Sequence, residues 1–331
     1  MKSLSVMTIR LSSSKLYTFF VAFILFILLK LSIISYPLMP QVERFLELDE
    51  GALEWKFHFV RLLVSYPGIY LAEFCSESIT WGMSIYSVVL LVMIAYNMFA
   101  ILEIMRIATR VRYCFIVVVV VALSIIMHGR LIFHFWGCSL LLLYEYKYMY
   151  NRTSFIVLQM VSALAILFST VSSGTVMIMV AYVIGLLFYN IREKNNRMRM
   201  FYAIGIIFVI YEVLSPYLVM MLKKNIDYFG GGFSGVINML QHGVGVFIYK
   251  APHDFLVLSF GLAILVLLMN MYFLYAYVIK YDMKYKLFPL MLLLNISVYG
   301  SVFGISAGLT GLIPCVLLLT KCIPVIKIVS R

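Results

Sequence analysis

Apolar residues arrive along this chain in blocks long enough to cross a hydrocarbon core of about 30 Å. About ten such blocks stand out: Leu16–Leu38, Thr80–Leu102, Tyr113–Met127, Leu131–Tyr144, Ser154–Val171, Thr175–Ile191, Phe201–Leu222, Phe255–Ile279, Leu287–Phe303 and Leu309–Ile326. Each reads as a membrane-crossing helix. The expected fold is therefore all-α, a polytopic helical membrane bundle with about ten transmembrane helices. Between the blocks there is no repeated period, no low-complexity tract and no soluble domain longer than a loop, so residues 1–331 read as a single membrane domain.

Composition agrees with that reading. Apolar residues make up 64% of the chain and charged ones only 12%, far too little charge for a soluble domain of this size. When the blocks are threaded through a bilayer in order, most of the 26 Lys and Arg residues fall at the termini and the even-numbered exits. The positive-inside rule then places both termini in the cytoplasm of a multi-pass inner (plasma) membrane protein. The formal charge of +12 is on this reading a topology signal, suited to an anionic cytoplasmic leaflet. A nucleic-acid partner would need those charges on one soluble surface, and they are dispersed. The basic, apolar N-terminus has no convincing small-residue cleavage site after Leu29 and reads as an uncleaved first helix. Four of the five cysteines lie in or beside apolar blocks, so neither a disulfide framework nor a zinc site can be drawn, and no metal or cofactor is expected.

All five histidines, His58, His128, His134, His242 and His253, fall on the outer side. Two outer loops are substantial. The first, 39–79, is acidic, and Phe45, Leu46, Leu48, Leu53, Trp55, Phe57, Phe59 and Leu62 in it suit a helix on the membrane surface or capping the bundle. The second, 223–254, is the large outer loop before the eighth helix. It opens with Lys223 and Lys224, passes Gly230, Gly231 and Gly232, and runs through Gln241-His242-Gly243-Val244-Gly245 to Pro252-His253-Asp254. Its glycines mark a turn, a close approach to a ligand, or a tight re-entry into the membrane, and 236–249 is apolar but too short to span. A third outer exit, His128-Gly129-Arg130, is followed one turn later by His134, which helical spacing sets on the Arg130 face. Arg130 there either snorkels to headgroups or binds substrate. Ser172-Ser173-Gly174-Thr175 reads as a helix hairpin turn. Inside the blocks only Lys30 and Glu212 are fully charged, and they are expected to pair in the bundle interior.

The stretch Leu240-Gln241-His242-Gly243-Val244-Gly245, followed by His253-Asp254-Phe255-Leu256 and Phe260-Gly261, resembles the large periplasmic loop of O-antigen polymerases and O-antigen ligases. Arg130 resembles the periplasmic-side arginine that those enzymes carry on an earlier helix, and Ser173-Gly174-Thr175 resembles their Ser-Gly-Ser-Arg turn. The arginine of that turn is absent here, since Val176 follows Thr175, which leaves Lys223, Lys224 or Lys250 as substitutes.

The resemblance implies a metal-independent glycosyltransferase that polymerises undecaprenyl-diphosphate-linked oligosaccharides on the periplasmic face. Membrane lipids and a chain-length regulator protein are the further partners it implies. Such chemistry needs fixed cations for a diphosphate leaving group and a base for an incoming sugar hydroxyl. Arginine's fork suits the first task and histidine's titration range the second. The expected roles are therefore His253 as base, Asp254 orienting it or contacting sugar hydroxyls, and His242 as a second candidate base. Arg130 is expected to bind diphosphate with help from Lys223 or Lys224, with His128 and His134 beside it. The bland alternative for His253-Asp254 is a helix cap, in which Asp254 accepts from the next backbone N–H groups. O-antigen ligation remains open beside polymerisation. A lipid-linked oligosaccharide flippase is the rival class, although it would favour internal repeats and midplane charges. A non-catalytic immunity or assembly factor is the third.

Overall fold

The computed structural model describes residues 13–40, 42–43, 55–127, 129–194, 230–241, 287–300 and 305–322, with scattered positions between 205 and 227. Every element among them is a helix. They are α1 (Ser13–Lys30), α2 (Trp55–Cys75), α3 (Ile79–Ile104), α4 (Arg110–Ile126), α5 (Gly129–Met149), α6 (Phe155–Ser169), α7 (Ser173–Lys194), α8 (Gly232–Gln241), α9 (Phe288–Gly300), α10 (Ile305–Leu309) and α11 (Leu312–Cys322). By length and composition, α3 alone among the described residues is long and apolar enough to cross a membrane. Shorter apolar helices occupy 155–169, 174–190, 288–298 and 306–320.

Local chemistry starts and stops these helices. Ser78, Thr109 and Ser154 are N-caps whose hydroxyls accept from the N–H groups of Trp81, Arg112 and Val157. Four helices end on a residue in the left-handed region: Ser32 (φ 55°), Ser76 (φ 55°), Arg106 (φ 57°) and Asn151 (φ 54°). In each case the next N–H reaches back to close the last turn, as from Ile33 to Leu28 O, Glu77 to Ala72 O, Ile107 to Leu102 O and Arg152 to Lys147 O. This is the Schellman closure, built here without glycine.

Neighbouring helices run antiparallel. At one end, the Arg130 end, the Tyr36 N–H donates to Ser84 Oγ at 2.9 Å and the Tyr36 hydroxyl donates to the Ser124 carbonyl. Those two bonds gather the exit of α1, the start of α3 and the end of α4 at the start of α5. At the opposite end, Tyr17, Phe99 and Tyr113 form an aromatic cluster joining the start of α1, the end of α3 and the start of α4. Tyr189 stacks on Phe288 at 4.0 Å to close the same end between α7 and α9. The central helix is α5, whose residues 131–139 are all buried. Close approach depends on small residues: a Cβ on Gly137 would lie 3.1 Å from the Ala165 carbonyl oxygen, so α5 and α6 touch nearly backbone to backbone.

The first loop is more structured than the acidic composition of 39–79 implies. Its helix α2 packs on α3 through glycine. A Cβ on Gly82 would stand 2.7 Å from Ala72 Cβ and 2.8 Å from the Ala72 nitrogen. Gly68 lies against Met83 and Tyr86, and the Tyr86 ring sits 5.6 Å from Phe133. Two turns earlier, Arg61 Nε donates to the Thr170 carbonyl at 3.1 Å. Helix α2 therefore folds back alongside α3 after the short connection 76–78, and Arg61 ties it to the end of α6.

The expected pairing of Lys30 with Glu212 inside the bundle is overturned, because both side chains are exposed. Lys30 ends α1, where its charge faces the negative end of the helix dipole. Among the described residues the buried charged ones are Arg61, Arg112 and Glu145. All three lie outside the apolar blocks, where the sequence gives no sign that neighbours will cover them.

Candidate functional site

Helix α5 begins at Gly129, so Arg130 stands in its first turn, where the polar exit from α4 re-enters the bundle. Segment 33–40 leaves α1 as extended chain and folds over this turn, held by the two Tyr36 hydrogen bonds. Gly129 permits the approach, since a Cβ there would meet Tyr36 Cβ at 3.1 Å. Burial pushes the Tyr36 phenol up to about 12, so it remains a neutral donor across the working range.

Between the segment and the turn lies a half-open pocket of about 440 Å³. Its walls are mostly apolar, with Ile33, Pro37, Met39, Ile125, Ile126 and Met127 among them, and its polar groups are Ser35, Tyr36, Ser124 and Arg130. Among the described residues no carboxylate lines it. Arg130 is exposed, and no hydrogen bond or ion pair to it is found among the described residues. An unneutralised guanidinium beside an apolar hollow can take an anion bearing a hydrocarbon part. Its planar fork matches phosphate oxygens in particular.

His134, one turn along α5, has a different setting from the one its spacing suggested. It is fully buried in the bundle. Nδ1 lies 2.8 Å from Ser169 Oγ, at the end of α6, and Nε2 lies 2.7 Å from Thr310 Oγ1, between α10 and α11. Ser169 donates its own proton to the Ala165 carbonyl at 2.7 Å, so it accepts from Nδ1–H. Nε2 is then the acceptor for the Thr310 hydroxyl, whose other acceptor, Ser306 O, is at 3.5 Å. A neutral imidazole with both nitrogens engaged joins three elements. Cys138 Sγ lies 3.4 Å from Nε2 and closes the fourth side. No space remains for a substrate group, so His134 supports the site from beneath.

The Ser173-Gly174-Thr175 turn also sits at this end. The expected turn is displaced: 170–172 connect α6 to α7, and Ser173, Gly174 and Thr175 form the first turn of α7, where Thr175 Oγ1 is 2.7 Å from both the Ser169 and Ser172 carbonyls. Lys223 is exposed. The remaining site candidates, His128, Lys224, His242, His253 and Asp254, lie outside the described residues, as does Lys250. Sequence reasoning missed Tyr36, Ser169 and Thr310. Ser169 and Thr310 lie in apolar blocks, and nothing local marks them as partners of His134.

Comparison of the chain with protein-family models, with curated proteins and with solved structures finds no match.

Proposed function

We propose that the chain is a multi-pass membrane protein of the inner membrane that polymerises undecaprenyl-diphosphate-linked oligosaccharide repeat units at its outer face. The observation that carries the reading is the exposed guanidinium of Arg130, which has no partner among the described residues, at an apolar-walled pocket of about 440 Å³. A lipid-linked diphosphate combines the two chemistries that pocket offers, an anion and a hydrocarbon. The resemblance of 240–261 to the periplasmic loop of O-antigen polymerases supplies the reaction class.

The distribution of side chains supports a bilayer as solvent. Phe19, Phe23 and Phe26 on α1, Val118 on α4, Ile156 and Met160 on α6 and Phe188 on α7 are exposed. Meanwhile Asn97, Ser139, His134, Glu145 and Asn190 are buried and bonded to one another or to hydroxyls. A water-soluble bundle has the reverse distribution. Lys15, Arg106, Arg110, Arg112, Lys147 and Arg152 belong to the end opposite Arg130, which is then cytoplasmic.

In the proposed step, an acceptor sugar hydroxyl of one lipid-linked unit attacks the anomeric carbon of another. The bond from that carbon to the diphosphate oxygen breaks as the new glycosidic bond forms. His253 takes the hydroxyl proton, and Arg130 holds the departing diphosphate. The decisive experiment reconstitutes the purified protein in lipid nanodiscs with one lipid-linked repeat unit and separates the products on a gel. A ladder of lengthening chains supports the reading. Unchanged single units with wild-type protein overturn it. In cells lacking the gene, accumulation of single units on surface lipopolysaccharide would favour polymerase, free lipid-linked polymer a ligase, and cytoplasmic build-up a flippase.

A further inference from the structure

Arg61 projects from α2 into the bundle and is only 7% exposed. Among the described residues its Nε–H makes one hydrogen bond, to the Thr170 carbonyl at 3.1 Å, and no carboxylate pairs with it. Thr170 is the C-cap of α6, so a positive group suits the negative end of that helix. That cap uses one donor. A guanidinium has five, and the four on Nη1 and Nη2 have no partner among the described residues. Neither Nη is among the fully covered atoms that lack a partner, so the part of Arg61 that stays accessible includes the open side of its fork. Arg112, the other buried cation among the described residues, sits at the opposite end and turns its fork inward, with Nη1 on the Ile107 carbonyl at 2.6 Å.

An enclosed cation without a counter-charge is costly in a bilayer, and an anion relieves that cost. The fork selects the kind of anion, because its parallel N–H groups match two oxygens on one phosphorus or carbon. Location narrows it further. Thr170 follows Ser169, whose hydroxyl holds His134, and His134 stands one turn from Arg130, so both guanidiniums belong to the same end of the bundle. Arg61 is nevertheless not in the walls of the Arg130 pocket. The reaction proposed above joins two lipid-linked units, each with its own diphosphate, and Arg130 holds the one that departs. We propose that Arg61 binds the second diphosphate, the one that stays on the acceptor unit. The inference rests on the polymerase reading. Its consequence is that the buried cation gains a counter-charge only when the acceptor arrives.

The test counts binding sites. The full chain in phosphatidylcholine nanodiscs is titrated with farnesyl diphosphate, a short lipid diphosphate, and the bound ligand is read by native mass spectrometry. Wild type should bind two equivalents, Arg61→Gln one, Arg130→Gln one and the double variant none. Thermal melting in detergent checks that each variant is folded. The glutamine at 61 keeps a donor for the Thr170 carbonyl; should it still fail to fold, Arg61→Lys decides. Lysine keeps the charge without the fork, so one of the two sites should weaken roughly tenfold. Two undiminished equivalents on either Arg61 variant, or a single wild-type equivalent, overturn the inference and leave Arg130 and the polymerase reading standing. No binding by folded wild type overturns both. Two further arms separate the sources of the anion. If phosphatidylglycerol in the nanodisc removes the second equivalent, the ligand is a bilayer headgroup and the acceptor assignment falls. It falls as well if inorganic pyrophosphate fills that site as tightly as the lipid diphosphate does.

Discussion

Arg130 and His134 stand one turn apart on α5, yet they have opposite relations to the rest of the molecule. Arg130 is exposed beside a hollow of about 440 Å³ and is bonded to nothing described. His134 is enclosed, with each ring nitrogen within 2.8 Å of a hydroxyl. A cation left unpaired at a pocket has its interaction free energy available for a ligand. A histidine whose two nitrogens are already engaged has put its interactions into holding α5, α6 and the turn before α11 together. Polar groups at one helical spacing are thus not one site, and satisfaction separates the binding residue from the supporting one.

Substitution should split the two cleanly. We predict that Arg130→Ala abolishes chain lengthening, by about 10²–10³-fold in rate for loss of a charge-stabilising donor. The protein should remain in the membrane with its melting behaviour unchanged, because the side chain touches no buried partner. Wild-type ladders from this variant in nanodiscs would remove Arg130 from the mechanism. His134→Ala should do the converse. It orphans two buried hydroxyl contacts and opens a cavity, at a cost of roughly 2–4 kcal/mol. Thermal unfolding in detergent and the yield of folded protein read that loss. Ladder length per folded molecule should stay near wild type, and a stable but inactive His134→Ala would mean that the residue acts on substrate after all.

How much of this contrast was legible in the sequence depends on how local the cause is. The long apolar runs gave α3 to α7 nearly to their ends, because a helix that is hydrophobic nearly all round shows as an unbroken apolar run. The charge of Arg130 was legible because it follows a short polar exit. The burial of His134 was not, because its partners lie 35 and 176 residues away. Helix α2 was hidden for another reason: Arg61, Pro67 and Glu73 break its apolar run, and only the bond to the distant Thr170 carbonyl shows that Arg61 points inward. Helix ends at Ser32, Ser76, Arg106 and Asn151 also gave no signal, since the left-handed position that usually attracts glycine carries another residue.

A finer cut tests whether the His134 bonds contribute individually. Thr310→Val keeps the shape of the side chain and removes the donor to Nε2. Hydrogen bonds between helices in a bilayer contribute about 0.6 kcal/mol on average and up to roughly 1.7, so a loss of about 0.6–1.7 kcal/mol is expected. In a double-mutant cycle with His134→Ala, most of that loss should vanish. Full additivity would show that the two side chains do not interact.

The smallest expected effect belongs to the pocket side. Tyr36→Phe removes the hydroxyl that clamps segment 33–40 to the Ser124 carbonyl but keeps the ring and the Tyr36 N–H bond to Ser84. Stability should fall by about 0.5–1.5 kcal/mol, the usual net value of one hydrogen bond. The segment forms one wall of the Arg130 pocket, so a looser segment should weaken substrate binding before it slows the chemical step. The expected kinetic signature is a KM raised severalfold with kcat nearly unchanged, the opposite of Arg130→Ala, where kcat collapses. If Tyr36→Phe lowered kcat as much as it raised KM, the segment would be acting on the reacting groups, and the division between a free cation and a passive wall would need redrawing.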